Sequence, residues 1–204
     1  MNAVLEINPT QEVVYPEQRE TDMGETSEHY QIINNLFNCL QLFLGNRTNM
    51  FIASNMNLHY EEGNPQKWYA PDLMIAFGVG NHNRSSYKVW DEGVFPNVIF
   101  EVASDRTWKV DLTDKLELYG ELGTEEYYIL DTKDYLPLPL MAYRTNGKRL
   151  IYQQAENNRI YSPLLNLEIV ENENTFRLYD RENKEFLMTI QEMKAELERL
   201  RKRD

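Results

Sequence analysis

The spacing of apolar positions divides the chain into alternating helical and extended stretches. Ile32, Ile33, Leu36, Phe37, Leu40 and Phe43 recur every three or four residues. This predicts an amphipathic helix, capped by Thr26 or Ser27 and ending at Gly45. Residues 50–60 and 68–77 read as strands around the turn Glu61-Glu62-Gly63-Asn64-Pro65. A long loop follows over residues 79–95, which fits a lid or a substrate-facing segment. From Asn97 to Ala103 both alternating faces are apolar, which predicts a central strand covered on both sides. A helix is expected from Lys109 to Leu122, closed by Gly123, and a strand from Glu126 to Asp131. Strand, helix and adjacent strand imply a crossover connection, so the sheet is mixed or parallel there.

Beyond the break at Leu136-Pro137-Leu138-Pro139-Leu140, Asn146-Gly147 joins a hairpin of residues 140–145 and 149–153. Short strands and turns are expected over residues 159–180. A terminal helix is expected from Lys184, on which Phe186, Ile190, Met193, Leu197 and Leu200 step as a coiled-coil seam. That seam fits either a homodimer contact or docking on the body. The expected organisation is a polar arm over residues 1–24, with a short strand near Val13-Val14, a domain over residues 25–180, and a C-terminal helix over residues 184–204.

Three polar side chains interrupt these apolar patterns. Glu101 lies inside the two-faced strand, where an anion is costly unless paired or metal-bound. Asp72 enters the strand of Leu73, Ile75 and Phe77, also apolar on both sides. Lys115 falls in the same helical sector as Leu112, Leu116, Tyr119 and Leu122, where a lysine either snorkels from the edge or pairs with Asp111 or Glu101. His29 projects onto the apolar face of the first helix. It reads either as a core-edge histidine with one hydrogen bond or as a residue facing a site.

Composition narrows the function classes. The 204 residues suit one domain with an appendage, and 42% hydrophobic content suffices for a core. A single cysteine, Cys39, excludes an intramolecular disulfide and thiolate zinc sites, and its apolar helical setting makes it a small core residue. No signal peptide and no apolar run of membrane-spanning length is present, which predicts a cytoplasmic protein without membrane contact. A net charge of -12 disfavours nonspecific coating of nucleic acid, whose affinity depends on cations. There is no glycine-rich phosphate loop and no Ser/His/Asp order. His59 and His82 fall in turn regions and are expected at the surface.

Asp72, Glu101 and Lys115 together suit metal-assisted phosphodiester hydrolysis. Magnesium prefers carboxylate oxygens and keeps its own waters. Asp72 and Glu101 from adjacent strands, with the backbone carbonyl of Val102, supply such donors for Mg2+ or Mn2+. Lys115 would orient the attacking water and stabilise developing charge.

The same segments carry a resemblance. Ala70-Pro71-Asp72-Leu73-Met74, the run from Pro96 to Ser104, the run from Asp111 to Tyr119, and Glu126-Tyr127-Tyr128-Ile129-Leu130-Asp131 resemble the Uma2 family, of the type abundant in cyanobacteria. The resemblance covers about residues 25–180. It implies an α+β, restriction-endonuclease-like fold of the PD-(D/E)XK superfamily, with an αβββαβ core and a mixed sheet, here extended by C-terminal strands and a C-terminal helix. It also implies a Mg2+-dependent endonuclease acting on nucleic acid, with DNA the expected substrate. The superfamily's Glu-x-Lys would place lysine at position 103, which is Ala103; Lys115 replaces it, with Lys109 as the next candidate. Glu28 and His29 are accessory candidates on the first helix. The contrasting expectation is a catalytically silent nuclease fold acting as a dimeric interaction or regulatory module.

Overall fold

A computed structural model describes residues 14–16, 26–45, 48–173 and 175–202. The elements are α1 (Ser27–Leu44), β1 (Met50–Ala53), β2 (Leu58–His59), β3 (Trp68–Tyr69), β4 (Leu73–Phe77), β5 (Tyr87–Lys88), α2 (Val89–Glu92), β6 (Val98–Val102), α3 (Trp108–Leu112), α4 (Asp114–Leu122), β7 (Glu126–Leu130), β8 (Leu140–Thr145), β9 (Leu150–Gln153), β10 (Arg159–Ser162), β11 (Leu167–Asn172), β12 (Thr175–Asp180), β13 (Glu185–Phe186) and α5 (Ile190–Arg201). The main sheet runs β1-β4-β6-β7-β8-β9. Only β6 and β7 pair in parallel within it, joined by the α3–α4 crossover, so the sheet is mixed. With α1, its first four strands and the crossover helices form the αβββαβ core.

Strand β6 shows why both faces are covered. Val98, Phe100 and Val102 pack into one core with Ile32, Leu36 and Leu40 of α1 and with Leu167, Ile169, Phe176 and Leu178 of a second, four-stranded sheet, β10-β11-β12-β13. Ile99 and Ala103 pack into the other core with Tyr119 and Tyr127. Burying each large side chain stabilises the fold by roughly 1.5–3 kcal/mol. Buried Glu126 ties the two sheets: it accepts from the Ser162 hydroxyl, from Tyr128 at 2.9 Å and from the Leu164 amide at 3.2 Å.

The structure departs from the pattern-based expectations in several places. Residues 50–60 do not form one strand: the chain turns at Asn55, whose φ is 52°, and β2 joins a small sheet, β3-β2-β5. Residues 68–77 divide likewise, and Pro71, which has no N–H for a ladder, lies at the break. The expected loop over residues 79–95 contains β5 and α2. The expected helix from Lys109 starts at Trp108 and breaks at Thr113 (φ -120°, ψ -89°). The terminal helix starts at Ile190 rather than Lys184, because Thr189 and Glu192 form a reciprocal capping box and residues 185–186 pair with β12. On α1, Phe43 is exposed and Leu44 takes the buried position. Thr26 is the N-cap, accepting from the His29 amide at 3.2 Å. Cys39 is buried.

His82 is exposed, but His59 is fully buried, correcting its expected surface position. The segment Val14–Pro16 covers it: His59 Nε2 lies 2.8 Å from the Pro16 carbonyl, and Tyr15 packs edge-on against its ring. Val14 is not in a strand; Val13 and most of the arm over residues 1–24 lie outside the described residues. No helix among the described residues is long and apolar enough to cross a membrane.

Candidate active site

Four elements converge at the end of β6. Asp72 precedes β4, in the register position beside Glu101, because Leu73 pairs with Phe100. Its carboxylate accepts the Val102 amide at 2.7 Å, and its own amide lies 3.4 Å from Glu101 Oε2. From α1, His29 Nε2 approaches Asp72 Oδ2 at 3.3 Å. From α4, Lys115 Nζ lies 2.9 Å from Glu101 Oε1 and 2.7 Å from Asp111 Oδ1. Glu101 is 2% exposed and Lys115 6%, so this ammonium is held inside the protein by its carboxylate neighbours.

Tyrosines fix the arrangement. Tyr119, one turn after Lys115, donates to Glu101 Oε1 at 3.1 Å. Tyr127 of β7 donates to the Asp111 carbonyl at 3.0 Å and so pins the end of α3 to the sheet. The buried Asp111 carboxylate is compensated chiefly by the Lys115 ammonium, 2.7 Å from its Oδ1, with the Thr107 side chain adding a weaker interaction.

The electrostatics follow from burial. Loss of solvent pushes the Glu101 carboxyl up to about 8; Lys115 opposes that rise, while Asp72 and Asp111 reinforce it. Burial likewise raises Asp111. Lys115 is held above the ordinary lysine range: burial acts to lower it, but Glu101, Asp111 and Asp72 together win. Glu101 and Asp111 thus flank one ammonium while Asp72 faces His29, so carboxylates outnumber cations in the cluster when all are ionised.

That imbalance is the test of a metal site. Among the described residues, no three His, Cys, Asp or Glu side chains form a ready-made cage. Magnesium does not require one, since one or two carboxylates suffice beside its waters. Asp72 and Glu101 are hard oxygen donors, buried and side by side in register, so their chemistry fits a divalent cation.

Of the residues singled out from the sequence, the structure brings Asp72, Glu101, Val102, Lys115 and His29 together. Glu28 forms its ion pair with Lys133 instead, and that partner lowers its carboxyl. Lys109 is exposed, with its ammonium 5.3 Å from the Trp108 ring centroid. Ala103 is buried in the apolar core on the Lys115 side of the sheet. From the sequence, Asp111 stands as a pairing partner of Lys115 and Tyr119 as a residue of the apolar stripe. Their signal was the four-residue step 111, 115, 119, the spacing of one helical face, and the Asp111–Lys115 contact at 2.7 Å persists across the break at Thr113.

A mixed sheet of this order, packed against α1 and the crossover helices, is a restriction-endonuclease-like α+β fold. The chain belongs to the Uma2 family, whose model, described as "Putative restriction endonuclease", matches residues 5–178. Among solved structures it is similar to a "putative nuclease belonging to DUF820" from Anabaena variabilis. The TM-score is 0.51 at 10% identity, over 69% of this chain and 75% of that one, a likeness of fold. No curated protein sequence matches it.

Proposed function

We propose that this chain is a Mg2+- or Mn2+-dependent nuclease that hydrolyses phosphodiester bonds, with DNA as the expected substrate. One observation carries the reading: Lys115 reaches Glu101 at 2.9 Å from a neighbouring helix, beside Asp72, although the strand itself offers alanine at position 103. Asp72, Glu101 and the Val102 carbonyl would hold the cation, which when bound supplies charge for the phosphate and a water of lowered pKa. Lys115 would point its protons at the attacking water and at charge developing on phosphate oxygen. Asp111 and Tyr119 hold Lys115 and Glu101 in place, and His29 steadies Asp72. Incubating the protein with plasmid, single-stranded DNA and RNA, with and without Mn2+, tests this. Cleavage is expected only with metal, and Asp72→Ala is expected to abolish it; undiminished cleavage by that variant overturns the assignment.

A second reading rests on the same ion pairs. Lys115 already compensates Glu101 and Asp111, as in a nuclease fold retained as an interaction module. Mn2+ titration calorimetry separates the two: uptake at millimolar metal supports the enzyme, and none supports the module. Under either reading the chain would pair as a homodimer through α5, where Ile190, Leu197 and Leu200 remain exposed.

A further inference from the structure

We infer that Tyr60 and Tyr69 form a stacking platform for an unpaired nucleobase at the mouth of the site, so that the substrate is single-stranded or locally opened nucleic acid. The inference rests on the nuclease reading and adds the substrate class.

Tyr69, on β3, sits between the buried cluster and solvent. Its ring centroid lies 5.6 Å from Lys115 Nζ, and it meets the Tyr119 ring edge-on at 6.1 Å. The ring is only half-buried. Tyr60, also half-buried, lies beside it with centroids 6.1 Å apart and planes 19° from parallel. The pair therefore offers an aromatic surface leading directly to the proposed catalytic lysine. Its polar ends differ from those deeper in the site. Tyr119 and Tyr127 each spend their hydroxyl on a partner, whereas those of Tyr60 and Tyr69 make no hydrogen bond among the described residues. Those hydroxyls remain available to a base edge or a sugar.

The chain's charge points the same way. At -12 it is poorly suited to hold any nucleic acid by counterion release alone, a term on which duplex binding depends more steeply than single-strand binding. Stacking supplies affinity without that term and needs no sequence, because every base has a π-face. A base stacked against Tyr69 would leave its phosphate within reach of Lys115, whereas a base held in a duplex keeps its faces covered by its neighbours.

The test is equilibrium binding of the full chain, in Ca2+, to oligonucleotides carrying 2-aminopurine: single-stranded DNA, single-stranded RNA, duplex DNA, and a strand abasic at its centre. Binding is read by anisotropy and stacking by quenching of the 2-aminopurine signal. Single strands are expected to bind with quenching, and the abasic strand and duplex about tenfold more weakly. The DNA and RNA arms identify the sugar. Tyr60→Leu and Tyr69→Leu, which keep the apolar burial, are expected to lose about tenfold and the quenching; Tyr60→Phe and Tyr69→Phe keep the quenching. Duplex bound as tightly as single strand, with the Leu variants unaltered, overturns the platform and leaves the nuclease reading intact. Failure to bind or cut any nucleic acid overturns both.

Discussion

The Asp72 amide lies 3.4 Å from Glu101 Oε2, while the Asp72 carboxylate holds the Val102 amide at 2.7 Å. The two acids are therefore coupled through backbone as well as through space, and either one positions the other. Asp72→Asn is expected to weaken Mn2+ binding and lower cleavage by at least the 10–100-fold typical of losing an outer-sphere partner. Calorimetry and single-turnover cleavage check it. Unchanged metal affinity would exclude Asp72 as a ligand.

Lys115 offsets two buried carboxylates. Replacing it with methionine keeps its bulk and, above about pH 8 where Glu101 is ionised, strands both charges, at a cost of about 3–5 kcal/mol in metal-free protein. Urea unfolding of Lys115→Met measures the loss. Adding Asp111→Asn to that variant is expected to restore part of it, because one stranded charge is then gone.

The Glu101 carboxyl is raised to about 8 by burial, against roughly 4.3 in an unfolded chain. A raised folded-state value contributes stability that is fully present below the unfolded value and is lost as pH rises through the folded one. Metal-free protein is thus expected to lose Tm between about pH 4 and pH 8. Mn2+, which favours the ionised carboxylate, is expected to raise Tm more at pH 8.5 than at pH 6. Thermal unfolding of wild type and Glu101→Gln across that range checks this. The variant should show a flatter profile and little metal gain, and an equal slope in both proteins would assign the effect to another group.

Leu197 and Leu200 are 55% and 46% exposed on α5. A wild-type dimer in sedimentation equilibrium, converted to a monomer by Leu197→Glu with Leu200→Glu and with little change in monomer unfolding, is the expected result. Equal masses would leave the seam without a partner.

Glu126 accepts from the Ser162 hydroxyl, from Tyr128 and from the Leu164 amide. Glu126→Ala leaves buried donors without an acceptor, each worth roughly 1–3 kcal/mol. Chemical denaturation should show a loss of that order, with β10–β13 loosened in hydrogen exchange.

The legible part of the fold was the part governed by alternation. The two faces of β6 and the amphipathic stripe of α1 follow directly from side-chain spacing, and so does the crossover that places Lys115 against Glu101. The strand breaks at residues 54–57 and 70–72 did carry signals, Asn55 and Pro71, but apolar residues resume so soon on either side that the alternation reads as one strand across each break. Thr113 breaks the crossover helix with neither glycine nor proline to mark it. The start of α5 was written in Thr189 and Glu192, but Phe186 extended the apolar rhythm and masked the cap. In the site, Asp72, Glu101 and Lys115 stood out as charges in apolar patterns. Tyr69 did not, since a tyrosine in a strand is ordinary until its neighbour across the sheets is known.

The cluster draws its side chains from α1, the approach to β4, β6 and both crossover helices, so its parts span residues 29 to 115 of the chain. No local segment carries it, and β7, paired in parallel with β6, adds the Tyr127 hydroxyl that holds the Asp111 carbonyl from still further along the chain. Whatever chemistry the acids support is therefore a property of the whole tertiary fold rather than of any motif within it.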